Sequence, residues 1–128
     1  MVPKSTNFEN SPETVPLPFH PGAIVVATLG NPREKFWGAV LSLAPEGLSI
    51  RGIELASLED LVSLIREKEP YTLNVIFFPM HRVERIELDQ PDGNIPSLAQ
   101  RFSEKTGLDA AAILNSRAEN KAPKVPRS

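Results

Sequence analysis

The chain has 128 residues, 41% hydrophobic and 23% charged, with a formal net charge of −2 and no cysteine. That length suits one domain with a single modest core. The missing cysteines exclude disulfides, thiolate zinc sites and cysteine nucleophiles, and the near-neutral charge argues against gripping nucleic acid by bulk electrostatics, leaving only a local basic patch open.

Residues 1–21 carry Pro3, Pro12, Pro16, Pro18 and Pro21 and few bulky apolar side chains. Proline fixes φ and removes a backbone donor, so a disordered, extended arm is expected there. The same stretch lacks the apolar centre of a signal peptide. No apolar run in the chain approaches the roughly 18 residues of a membrane-spanning helix. A cytoplasmic location with no membrane partner is the expectation.

The single domain is expected over residues 22–114. "AIVVATL", Ala23 to Leu29, is β-branched and apolar on both faces, as a strand within a small barrel would be. "GNPRE" is turn chemistry, and "KFWGAVLSL" follows as the second strand. "APEG" is the next turn, and "LSIRGIEL" the third strand. Gly38 and Gly52 stand inside consecutive strands, which predicts a strongly coiled sheet with sharp bends.

The period then changes. "SLEDLVSLIREKE" places Leu58, Leu61, Val62 and Ile65 on one helical stripe, with Ser57 as cap, Asp60 at the capping-box position and Pro70 as the stop. This helix is expected over an open end of the barrel. "TLNVIFF", Thr72 to Phe78, is the fourth strand; Pro79 ends it. "VERIELD" is the fifth, with Val83, Arg85 and Glu87 on one face and Glu84, Ile86 and Leu88 on the other. Ser97 and Gln100 form a capping box for a helix burying Leu98 and Phe102, Gly107 ends it, and Asp109 caps "AAAILN". Residues 115–128 read as a disordered tail made basic by Arg117, Lys121, Lys124 and Arg127. The predicted fold class is mainly β, of the α+β type. It is a five-stranded, strongly bent small barrel with a helix between strands three and four and a C-terminal helical cap.

"VVATLGNPREKFWGAVLSLAPEGLSIRGI" resembles the first motif of the Sm-like family: an apolar strand, a turn, an aromatic-X-Gly-X-aliphatic strand, a loop and an apolar strand. Phe36, Gly38, Val40 and Leu41 would take its core positions. "FFPMHRVERIEL" is similar in outline to the second motif, a short strand, a one-turn 3₁₀ link and a closing strand. The resemblance spans about residues 22–88, interrupted by the helix. It implies a small barrel that associates through its fourth and fifth strands and binds RNA. Two departures bear on function. The family reads RNA with an Asp and an Asn in the loop after strand two, where this chain has Ala44, Pro45, Glu46 and Gly47. The Arg-Gly pair usual in the second motif is absent, with Arg82 as a loose counterpart.

His81 and Arg82, on a tight link between strands, are the leading polar candidates. His81 could stack on a base or donate to a phosphate, with Arg82 as charge partner; the alternative is that both solvate a turn and pair with Glu84 or Glu87. Phe36 and Trp37 must face opposite sides of their strand, so one ring is in the core and the other lies under a helix or marks a partner-binding patch. An exposed apolar patch there favours a protein partner, whereas convergence of Arg33, Arg51 and Arg82 favours RNA. Arg51, Glu54, Glu84, Arg85 and Glu87 read as cross-strand ion pairs. No nucleophile, general base, phosphate loop or metal-ligand spacing is evident. The expected function is a non-catalytic binding or regulatory module, an adaptor without cofactor or metal, which engages another protein and self-associates through its strand edges. Single-stranded RNA binding is the alternative.

Overall fold

A computed structural model describes residues 18–116; the expectations for the rest of the N-terminal arm and for Arg117, Lys121, Lys124 and Arg127 lie outside the described residues. In chain order the elements are β1 (Ile24–Leu29), β2 (Glu34–Ala44), β3 (Gly47–Glu54), a 3₁₀ turn (Leu55–Ser57), α1 (Leu58–Arg66), β4 (Asn74–Pro79), a 3₁₀ link (Met80–Arg82), β5 (Val83–Leu88), α2 (Leu98–Thr106) and α3 (Ala110–Leu114). The strands form one antiparallel five-stranded sheet in the order β4-β3-β2-β1-β5. This is the α+β class expected, with the inserted helix and the C-terminal helices in place. The barrel, however, is not closed: among the described residues no ladder joins β4 to β5, and both are sheet edges.

The inner face of the sheet buries Val25, Ala27, Leu29, Val40, Leu48, Ile50 and Phe78, and no helix contributes to that cluster. A flat sheet could not hide those side chains without a second layer, so the sheet must curl around them. The Phe36–Phe78 contact measures the curl. Phe78 pairs with Leu48 and Leu48 with Leu43, and Leu43 lies seven positions along β2 from Phe36. On a flat sheet that is about 23 Å along the strands, plus two strand spacings across. The ring centroids lie 4.9 Å apart.

Two glycines permit this bend. Gly38 and Gly52 are cross-strand partners, and a Cβ on either would strike the opposing backbone, at Arg51 from Gly38 and at Trp37 from Gly52. The 3₁₀ link spans one mouth of the curl: Met80 N donates to Glu46 O and Gly30 N donates to Arg82 O, each at 2.9 Å. Phe19, assigned by the sequence to the arm outside the domain, packs against the inner cluster. A bulge between Thr28 and Leu29 leaves Glu84 unpaired in the β1–β5 ladder. Val83 therefore joins Ile86 and Leu88 on the inner face rather than Arg85 and Glu87, as strict alternation predicts.

On the outer face, α1, α2 and α3 cover Trp37 and Ala39 with Leu58, Leu61, Val62, Phe102, Ala110 and Leu114. Trp37 is fully buried, its ring 5.6 Å from that of Phe102. Asp89 fastens this layer to the sheet. Its carboxylate accepts from Trp37 Nε1 at 3.0 Å and from the backbone N–H groups of Leu98 and Ala99 at 2.8 Å each. The Ser97–Gln100 capping box satisfies the next donors, so the first turn of α2 has a partner for each N–H and a negative charge at its positive end. Gly107 ends α2 at φ 78°.

Three helix ends depart from expectation. Ser57 makes no side-chain cap bond, because the 3₁₀ turn runs straight into α1 and Leu58 N already donates to Leu55 O. Before the chain reaches Pro70, α1 stops: Lys68 adopts φ 60°, Lys68 N donates to Ile65 O and Glu69 N to Leu64 O. That bond pattern is a Schellman ending with lysine in the usual glycine position. Asp109 likewise makes no side-chain cap bond at α3.

Replacing Gly38 with Ala should destabilise the domain by about 2 kcal/mol or more, since two backbones would have to part; urea denaturation reads this directly, and an unchanged midpoint would refute the close approach. Asp89→Ala should cost about 2–4 kcal/mol through loss of charge-assisted bonds. Its near-ultraviolet circular dichroism should also lose the fixed Trp37 signal, while the inner cluster keeps its far-ultraviolet strand signature.

Candidate functional site

The 3₁₀ link presents His81 and Arg82 side by side, but their roles diverge. Arg82 Nε donates to Gly30 O at 2.8 Å, and Nη2 donates to Pro32 O at 3.0 Å and to Glu34 Oε1 at 2.9 Å. Its guanidinium thus ties the link to the turn between β1 and β2, which contains a cis Asn31–Pro32 bond. Its ion-pair partner is Glu34, not Glu84 or Glu87. The Glu84 carboxylate packs against Gly30 in the same corner. His81 is exposed and has no hydrogen-bond or ion-pair partner among the described residues. A guanidinium committed to two carbonyls and a carboxylate holds a turn; it is poorly placed to lend charge to a ligand on His81.

The other sequence candidates also separate. Trp37 lies under the helices and Phe36 packs inside the curl against Phe78, so neither ring forms the exposed patch that the sequence allowed. Arg33 is exposed on the turn bound by Arg82. Arg51 sits on β3 opposite Ala39 and Val75, five residues along β2 from Glu34, or about 16 Å of extended strand. The three arginines do not converge. The expected cross-strand ion pairs reduce to Arg85 with Glu87 at 3.5 Å, on one strand and with both partners more than half exposed, which contributes little.

Sequence reading named the fourth strand as an associating edge but not the side chains that stand on it: Val75 and Phe77 are 61% and 55% exposed. Alternation turns Ile76 and Phe78 into the curl, where both touch the inner cluster. Val75 and Phe77 therefore stand on the outer face, beyond the cover of the helices and beside Ser49 and Arg51 of β3. The Phe77 ring leans over Gly47, where a side chain would collide with it. The one local hint in the sequence was Pro79, a residue that sheets confine to edges, strand ends and bulges; the uncharged run itself fits a buried strand equally well. Two further exposed apolar side chains, Leu64 and Ile95, stand on other elements.

Other features offer less chemistry. A wide groove of about 630 Å³ runs between α2 and α3 over Ile24, floored by Ala99, Ser103 and Ala110 with Glu104 and Asp109 at its rim. Burial pushes the Tyr71 phenol above its ordinary range where the ring packs against the helical cluster. Among the described residues no three His, Asp or Glu side chains are arranged to hold a metal ion, and no helix is long and apolar enough to cross a membrane.

If Arg82 holds the turn, Arg82→Met should lower stability by about 1–2 kcal/mol. Hydrogen exchange at Gly30 should also accelerate, because its N–H is bound to the displaced link. Unaltered exchange there would return Arg82 to the pool of free cations. No family model matches the chain, and no curated protein or solved structure shows significant similarity to it.

Proposed function

We propose that this protein is a non-catalytic binding module whose β4 edge pairs with a strand of another polypeptide, a second copy of the chain included. The observation that carries this reading is the coincidence, on one uncharged edge strand, of backbone groups unpaired among the described residues and two exposed apolar side chains, Val75 and Phe77. Backbone bonds at a free sheet edge supply affinity, and alternate side chains supply selectivity. An extended, alternately apolar peptide is the matching ligand.

The second reading, single-stranded RNA binding on Sm-like lines, rests on the resemblance of the two motifs and on His81. The engagement of Arg82 with Glu34 and the separation of Arg33 from Arg51 weigh against it. RNA recognition of that kind needs clustered cations and stacking faces.

A peptide-display selection on the dilute domain separates the readings. Wild-type protein should enrich extended peptides with alternating apolar residues, and Val75→Lys/Phe77→Lys should fail to retain them. Peptides held equally by both proteins would remove β4 from the function. In parallel, filter binding to single-stranded RNA should show no salt-dependent affinity; a steep decline of tight binding with salt would overturn the protein-binding reading in favour of RNA.

A further inference from the structure

The phase of the β4 ladder decides what its free edge offers. Met80 N donates to Glu46 O, which continues the register of β3 and β4 by one residue pair. In an antiparallel ladder, bonded and non-bonded pairs alternate. Leu48 with Phe78, Ile50 with Ile76 and Gly52 with Asn74 are therefore the bonded pairs. Val75 and Phe77 turn their N–H and C=O groups away from β3. The two large apolar side chains exposed on β4 thus belong to residues whose backbone groups also face outward.

We infer that two copies of this chain join β4 to β4 about a two-fold axis, with Val75 of each opposite Phe77 of the other and Ile76 at the axis. This rests on the reading of β4 as a binding edge and names its occupant. The register is the one in which both outward residues find partners. Each Val75–Phe77 pair exchanges both backbone hydrogen bonds, and on the outer face the same pair buries an aliphatic side chain against an aromatic one. Ile76 meets Ile76 of the second copy at a non-bonded position, where α-carbons approach to about 4.5 Å. Pro79 has no N–H to leave unpaired, and it closes the ladder. The two five-stranded sheets become one continuous sheet.

Charge selects this arrangement over pairing β4 with β5. Asn74 to Pro79 carries no charge, so it meets itself without repulsion, as an isologous contact requires. The β5 edge exposes Glu84, Arg85 and Glu87, the pattern by which edges are guarded. A β4–β5 contact would set Val75 and Phe77 beside those charges.

The chain has no cysteine, so one introduced thiol reports geometry without background. Sedimentation equilibrium of the full chain in the micromolar range should give a dimer, and Val75→Lys/Phe77→Lys should weaken it about tenfold or more while keeping the native circular dichroism. Under mild oxidation Ile76→Cys should cross-link to a covalent dimer, and Glu87→Cys should not. Because Ile76 also touches the inner cluster, a second pair avoids the core: Val75→Cys mixed with Phe77→Cys should cross-link, whereas Val75→Cys alone should not. A monomer, a ring of more than two subunits, or Glu87→Cys cross-linking as readily as Ile76→Cys would overturn the two-fold contact. A monomer that still selects peptides through Val75 and Phe77 would overturn the dimer alone; loss of peptide selection as well would overturn the binding reading with it.

Discussion

The side chains of Val25, Ala27, Leu29, Val40, Leu48 and Ile50 must leave water with no helix among the described residues to cover them, and the rest of the molecule follows from how that is done. The sheet hides them by rolling one face inward, which brings Phe36 of β2 against Phe78 of β4. Rolling is limited by side chains on the concave side, where neighbouring backbones crowd. Gly38 and Gly52 remove the obstacle at the same point on adjacent strands. A roll that stops short of closure leaves two edges. The Met80–Arg82 link then spans the mouth between them, held by backbone bonds to two different turns.

The outer face has the opposite problem. It needs a cover, and the helices supply one over only part of its width. Asp89 determines where that cover sits, because one carboxylate serves both the Trp37 indole and the opening N–H groups of α2. A charged group in that position is stabilised by the helix end and by the indole donor together. It lies directly after β5 in the chain, so α2 is anchored over β1 and β2. The β4 side of the sheet is left uncovered as a consequence. The exposure of Val75 and Phe77 is therefore a result of the same anchoring that buries Trp37.

The local signals at α2 carried into the structure, those at Ser57, Pro70 and Asp109 did not, and long-range side-chain partners were not legible. The capping box of Ser97 and Gln100 and the glycine ending of α2 are formed within a few residues, and both are present. Strand order along the chain was legible from turn chemistry and period. The partner of Arg82 was not, since Glu34 is brought to it only by the β1–β5 ladder and the link. Strict alternation misplaced Val83 because one bulge shifts every residue beyond it to the other face. The apolar run of β4 misled for a related reason. A central strand covered on both faces and an edge strand with one bare face have the same composition, and only the position of the helices tells them apart.

The two edges are treated differently, and the proposed pairing depends on that difference. An unpaired edge invites any extended chain to add to it, so edges that are not interfaces usually carry charge, bulges or proline. β5 carries exposed charges and a bulge against β1. β4 carries neither within its length; its one guard is Pro79 at the terminus. That placement shortens any added ladder without forbidding it, and the guarded β5 edge denies an incoming copy a second place to continue. An open edge beside a guarded one permits a single pairing event and discourages a chain of them. This is what a finite assembly requires of a sheet that has not closed on itself.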